Sequence, residues 1–294
     1  MWSLFNFLNP GLLGTKEQFN QRFATPIEKG NTETRALLKK LLSPFVLRRT
    51  KTQVLTELPS RTEITLAVEL SEDERHLYEA LRQQAIEQLA NTEGGQAMQV
   101  LAEIMKLRRF CCNPSLVVPD YKLSSSKLQV FAETLTEILD NQHKVLVFSQ
   151  FVDHLALVRQ YLELQQIRYQ YLDGSTPVAE RQKRVNAFQQ GDGEVFLISL
   201  KAGGSGLNLT AADYVIHLDP WWNPAVEDQA SDRARRIGQT RPVTIYRLVT
   251  ENTIEQKILA LHQQKRELAD SLLEGGDMAA RLSTEQLLQL LRAK

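Results

Sequence analysis

Glu194–Pro220 reads EVFLISLKAGGSGLNLTAADYVIHLDP, and this stretch decides the fold. EVFLISL, residues 194–200, is a near-continuous apolar run of strand length. YVIHLD, residues 214–219, is a second. Runs apolar at every position, rather than at alternate ones, belong to strands buried on both faces, as in parallel sheets. Between them lies a Gly-rich loop with Gly203, Gly204 and Gly206, where missing side chains let backbone N–H groups face an anion. Ser199 and Lys201 add a hydroxyl and a charge beside it. Such a loop suits a nucleotide or a nucleic-acid backbone, and equally a tight packing turn.

The pattern repeats outward. KVLVFS (144–149), YQYL (169–172) and VTIYRLV (243–249) read as further strands. Helical periodicity fits between them at about 153–165, 177–190 and 225–236. Strands alternating with helices predict an α/β fold, a parallel sheet covered by helices on both faces, with its site at the C-terminal strand ends.

Before this region the texture is different. Short helices fill most of the first forty residues, and Leu37, Leu38, Leu41 and Leu42 recur at helical spacing before Pro44. EITLAVEL (63–70) reads as a strand. Ser71 with Glu74 three residues on forms a capping box that opens a helix. A second helix spans about 97–112, with Val100, Leu101, Ile104 and Leu107 on its apolar face, stopped by Asn113-Pro114. Ser124–Ser126 marks a boundary. Beyond strand 243–249 the chain is helical again, with Ile254, Ile258, Leu261, Leu268 and Leu272 on one face and a Gly275-Gly276 break.

The chain has 294 residues, 43% hydrophobic and 24% charged, with 35 basic against 35 acidic side chains. With no net charge, an anion site must come from local clustering. No apolar run reaches the ~20 residues of a membrane-spanning helix, and the first residues lack the basic start of a signal peptide. Cys111 and Cys112, the two cysteines, are adjacent and read as small core residues. No His/Cys set shows metal-ligand spacing, so no metal site is expected.

The clearest charge cluster is QASDRARRIGQT, Gln229–Thr240. Asn223-Pro224 starts a helix well. Continued at 3.6 residues per turn, that helix puts Gln229, Asp232, Arg233 and Arg236 on one face. Arg235 points elsewhere, and Val226, Ala230 and Ile237 form a stripe that docks on the sheet. Two readings fit: a solvated face with intrahelical ion pairs, or guanidiniums aimed at a phosphate. Gly-x-x-x-x-Gly-Lys-Ser/Thr is absent, as is an acidic pair ending an apolar strand. A dinucleotide-binding or methyltransferase reading needs an early Gly-rich strand–helix turn, and none occurs.

Seven stretches in order carry a family resemblance: WSLFNFLNPGLLG, FVLRRTK with ELP, KLRRFCCNPSL, VLVFSQF, YLDGST, SLKAGGSGLNLTAADYVIHLDPWWNP and QASDRARRIGQT. Together they resemble the Swi/Snf-type ATPases of helicase superfamily two, which translocate on double-stranded DNA. The resemblance implies a RecA-like fold with ATP and Mg2+ held mainly by a first lobe that precedes this sequence. It implies residues 1–59 as the helical tail of that lobe, 60–124 as a strand plus helical subdomain, 125–250 as the second RecA-like lobe, and 251–294 as a helical extension.

By the same resemblance Arg233 and Arg236 are arginine fingers, supported by Gln229 and Asp232, and Gly206 lies near the nucleotide. Ser149, Gln150, Lys201, Gly203 and Gly204 meet DNA phosphates, and Trp222 meets the groove. Plain alternatives stay open: Trp222 as packing, Ser149 and Gln150 as a helix cap, and Arg48, Arg49 and Lys51 as a solvated run or part of a hinge. The family usually has His where Arg235 stands. The implied partners are double-stranded DNA, the first lobe and a DNA-bound protein substrate, inside the cell: in the nucleoid of a prokaryote or the nucleus of a eukaryote. The isolated chain is expected to hydrolyse no ATP. The alternative is a non-catalytic DNA-binding or scaffold domain.

Overall fold

The computed structural model describes residues 2–28, 30–46, 59–90, 96–202, 206–261, 288, 290 and 291. The chain divides into two compact units; the described residues up to 46 belong to one and those from 59 onward to the other. Each is described by itself.

The first unit is helical: α1 (Trp2–Leu8), α2 (Lys16–Phe19), a π-turn Asn20–Ala24, α3 (Thr25–Glu28) and α4 (Thr32–Leu42). Asn31 caps α4 by accepting from the N–H of Thr34 at 2.9 Å, the usual partner for an orphan first-turn donor. A 3-10 turn at Ser43–Phe45 follows where Pro44 ends the helix. Phe5, Leu13, Phe23, Ile27, Leu38 and Leu42 form its buried core.

The second unit is built on a six-stranded sheet in the order β1-β6-β5-β2-β4-β3. The strands are β1 (Arg61–Val68), β2 (Val145–Ser149), β3 (Tyr169–Leu172), β4 (Val195–Ser199), β5 (Tyr214–His217) and β6 (Val243–Thr250). Every pairing is parallel. The all-apolar strands are the central ones, as their composition requires: β2 and β4 are buried at every position. Successive side chains go to opposite faces. Leu146, Phe148, Phe196, Ile198 and Val215 enter one core with Val185, Phe188 and Ala230. Val145, Val147, Val195, Leu197 and Ile216 enter the other with Phe131, Leu135, Leu155 and Val158. Each such side chain contributes roughly 1.5–3 kcal/mol through burial.

The covering helices are α7 (Ser126–Asp140) and α8 (Val152–Leu164) on one face, and α9 (Val178–Gln189) and α10 (Pro224–Ser231) on the other. The strand expected at 63–70 is β1. It pairs with β6 from Arg61↔Val243 to Val68↔Thr250, so it extends the lobe's own sheet. Of the stretch 60–124, expected as a strand plus helical subdomain, the described residues lie in the same compact unit as the sheet.

Helices α5 (Glu72–Ala90) and α6 (Gln96–Cys112) follow β1. The capping box holds: Glu74 N–H donates to Ser71 Oγ at 3.3 Å and Ser71 N–H to Glu74 Oε2 at 3.0 Å. Tyr78, Leu89, Val100, Ile104, Leu107 and Phe110 pack with Ile254 and Ile258 of the helical stretch 254–261. The expectations for Leu268, Leu272 and Gly275-Gly276 lie outside the described residues, as do Arg48, Arg49 and Lys51. No helix among the described residues is long and apolar enough to cross a membrane.

Candidate functional site

Helix α10 ends sooner than its sequence suggests. Asp232 is its C-cap, and residues 232–238 run on as turns and bends. The expected common helical face for Gln229, Asp232, Arg233 and Arg236 therefore does not exist. Gln229 is exposed, Asp232 and Arg236 are half-buried, and Arg233 is 6% exposed. Ala234, not Ile237, enters the core; Ile237 is 76% exposed. The turn is held from inside instead. Gln239 Nε2 donates to the carbonyls of Ala234, Thr210 and Ala212 at 3.1, 3.1 and 2.8 Å. Leu209 N–H donates to the Arg233 carbonyl at 3.1 Å.

The three arginines have different surroundings. Arg233 Nε is buried without a hydrogen-bond partner. Burial, then the neighbouring Arg236 charge, lowers the Arg233 pKa, with Asp232 opposing. A buried guanidinium donor lacking an acceptor is costly, and that cost falls when an anion arrives. Arg236 Nη1 donates to the carbonyls of Gly206 and Leu207, both at 3.0 Å. Gly206 has φ +65°, a left-handed conformation that glycine adopts without penalty. Arg235 Nε donates to Pro59 O at 2.9 Å.

Arg233 and Arg236 lie close enough for their charges to interact, through a turn, and Arg236 lies against Gly206. Lys201 is exposed, and Gly203 and Gly204 lie outside the described residues.

The expected DNA contacts of Ser149 and Trp222 do not fit their positions. Ser149 is 1% exposed; its Oγ donates to Asp219 and accepts from the N–H of Phe151. Trp222 is 5% exposed and packs with Ile104, Phe110 and Ile254. Gln150 is half-buried, with Oε1 accepting from Arg108 Nη1 at 3.2 Å. These residues shape the ends of β2 and β5 from within.

Their organiser is Arg108, which the sequence reading passed over. It is fully buried and lies over the rings of Trp222, Phe151 and Trp221, at 5.2, 5.5 and 5.8 Å from their centroids. It donates to the carbonyl of Pro220 and faces Asp219 at 3.9 Å. Burial pushes Asp219 up to about 6, against the pull of Arg108 and the Ser149 hydroxyl. The available signal was spacing: Arg108 stands four residues after Ile104 and four before Cys112, on the apolar side of its helix.

Glu227 was missed likewise. It is fully buried beside apolar Val226 and Ala230. Oε1 accepts from the N–H of Trp221 at 2.7 Å and Oε2 from Arg247 Nε at 2.9 Å.

Cys111 and Cys112 are buried free thiols, as expected. The sequence showed no metal-ligand spacing, yet the fold brings Cys112, His154 and Asp219 ligand atoms within 4.8 Å of one another. Their charges argue for a polar core. Burial holds the Cys112 thiol pKa well up and the His154 pKa down to about 3, leaving both neutral. A dication bound by Asp219 and a Cys112 thiolate would strip Arg108 of its counter-charge, a heavy penalty for a buried ion.

The comparisons with known proteins bear on family and fold. Residues 1–116 match the SNF2-related domain and residues 127–238 the helicase conserved C-terminal domain. The chain belongs to the SWI/SNF ATPase family. It is 40% identical over 296 residues to an uncharacterized ATP-dependent helicase of Mycoplasma genitalium, covering 99% of this chain and 28% of that protein. It is 34% identical over 310 residues to the human SWI/SNF-related matrix-associated actin-dependent regulator of chromatin subfamily A member 1, covering 99% and 30%. Among solved structures, the Sulfolobus solfataricus SWI2/SNF2 ATPase core in complex with dsDNA superposes with a TM-score of 0.67 at 34% identity, covering 99% and 63%. The chain therefore spans under a third of these two curated relatives. Its parallel sheet is the RecA-like fold of the family's ATPase cores.

Proposed function

We propose that this chain supplies the second motor lobe of an ATP-driven translocase on double-stranded DNA. The observation that carries the reading is Arg233: a buried guanidinium with an unpartnered Nε, beside a second cation, Arg236. Such a pair is a preformed site for the oxygens of a phosphoryl group.

In this reading ATP and its Mg2+ are held mainly by the first lobe. ATP supplies the phosphoanhydride that is cleaved. Arg233 and Arg236 neutralise charge as it builds on the γ-phosphate oxygens, an effect worth ~10³–10⁵ in rate for arginine fingers. Arg236 must exchange the Gly206 and Leu207 carbonyls for phosphate, a stronger charge-assisted partner. Lys201 and the adjoining Gly-rich loop take the DNA backbone. Ser149, Gln150, Asp219 and Trp222 keep the strand ends beneath it in place. Family membership and the DNA bound by the Sulfolobus core support the choice of polymer.

The test is Arg233→Ala and Arg236→Ala in the intact protein. Each should abolish DNA-stimulated phosphate release while DNA binding persists; full turnover in both would refute the assignment. The isolated chain should release no phosphate from ATP, and DNA-stimulated release by it would contradict the two-lobe reading.

A further inference from the structure

The start of β1 is fastened to the arginine-bearing turn from two directions. Arg235 Nε donates to the Pro59 carbonyl at 2.9 Å. From β1, Arg61 Nη2 meets Asp228 Oδ1 at 2.7 Å and Glu63 at 2.6 Å, and Arg61 Nη1 lies 3.9 Å from Asp232 Oδ1. Asp228 is on α10 and Asp232 is its C-cap. Arg247 of β6 joins the cluster, pairing with Glu63 and Glu227 and lying 3.6 Å from Asp228. Val243 N–H donates to the Ser60 carbonyl at 3.0 Å, so Pro59–Arg61 is held by the sheet as well.

We infer that Arg61 and Arg235 are positioning residues that clamp the turn carrying Arg233 and Arg236 to the first strand of the sheet. This rests on the reading of Arg233 and Arg236 given above.

Two features argue for the clamp. First, Arg235 lies between Arg233 and Arg236 in the chain. Its anchor at Pro59 holds the short turn between them and, unlike the bond from Arg236 to Gly206, does not have to break for phosphate to bind. A phosphoryl-transfer site tolerates little error, since ~1 Å of misplacement can cost ~10²-fold in rate. Second, Arg61 competes for the carboxylate of Asp232. Asp232 is near enough to oppose the lowering of the Arg233 pKa; without Arg61 it would draw Arg233 away from phosphate. The backbone of the turn is held separately by Gln239 and Leu209, so the clamp sets its position more than its folding.

The experiment uses the intact two-lobed protein with Arg61→Ala, Arg235→Ala and Arg235→Lys beside Arg233→Ala and Arg236→Ala. The readouts are DNA-stimulated turnover at saturating ATP, affinity for ATP, affinity for ADP with aluminium fluoride as a mimic of the transferring phosphoryl, and the unfolding midpoint. Arg61→Ala and Arg235→Ala should lower turnover and ADP–aluminium fluoride affinity by about tenfold or more, with ATP affinity and midpoint held. Arg235→Lys, which keeps one donor for Pro59, should recover most of the loss. If both alanine variants keep full turnover while Arg233→Ala and Arg236→Ala lose it, the clamp is overturned and the finger assignment stands. A loss that tracks the midpoint, or that lysine does not repair, also overturns it. Full turnover in Arg233→Ala and Arg236→Ala removes the underlying reading.

Discussion

Arg236 and Gly206 are joined side chain to backbone: Nη1 of the arginine donates to the glycine carbonyl at 3.0 Å. The carbonyl is presented by a backbone at φ +65°. A Cβ added at Gly206 would meet nothing within 4 Å, so Gly206→Ala carries only the backbone penalty of a left-handed non-glycine residue, ~1–2 kcal/mol. Urea unfolding should show a loss of that size. A loss several times larger would mean that the bond to Arg236 holds the loop together.

Arg108 closes the ends of β2 and β5. Arg108→Ala would empty an aromatic cage and leave Asp219 buried without its cation. A destabilisation of about 3–5 kcal/mol is expected, read from the urea midpoint. Arg108→Lys should recover only part of this, because an ammonium cannot reach the Pro220 carbonyl and Gln150 Oε1 with one planar fork.

Lys127 and Glu255 form a fully buried pair at 2.6 and 2.7 Å, with Lys127 also donating to the Leu218 carbonyl at 3.0 Å. Lys127→Met and Glu255→Gln should each destabilise by about 3 kcal/mol or more, since each strands a charge. The double variant should lose less than the sum, with a coupling of ~1–3 kcal/mol in a double-mutant cycle. Additive losses would show that the two charges do not depend on each other.

His154 makes stability depend on acid. Burial and the Lys127 charge hold its pKa down to about 3, against 6.5 when unfolded. The unfolded chain therefore takes up a proton that the folded chain refuses. The stability this contributes is complete above pH 6.5 and falls with pH through the window down to about 3. Between pH 7 and 5 the loss is about 2 kcal/mol. Asp219, raised to about 6, works the opposite way below that pH. The difference between the wild type and His154→Leu isolates the histidine: the variant should lose about 2 kcal/mol less over that interval. Equal losses would place the acid sensitivity elsewhere.

With 35 basic and 35 acidic side chains, the isolated chain has no general attraction for DNA. A fluorescence titration with a short duplex should show weak binding with a shallow salt dependence, because few phosphates are neutralised. Tight binding would contradict the single-lobe picture.

The sheet was legible in the residues because its signal is local. VLVF and VFLI are apolar at every position, and only a strand covered on both faces buries them all. Ser71 with Glu74, and Asn223-Pro224, announce helix starts through contacts three or fewer residues apart. The pairing of Arg233 with Arg236 was visible as well, as two cations three residues apart.

The route to that pairing was not visible. Extending the 3.6-residue period past Ser231 was wrong because Gln239 ties Ala234 to Thr210 and Ala212 while Leu209 bonds Arg233, and Leu209, Thr210 and Ala212 come from distant chain. Trp222 and Ser149 carry groups suited to DNA, yet a fully buried arginine from another helix turns them inward. Pro59 meets Arg235 across 176 residues, and Arg108 meets Pro220 across 112. Periodicity records which face of an element is apolar. It cannot say which buried charge will find its counter-charge, because that depends on which loops the packed sheet brings within hydrogen-bonding reach.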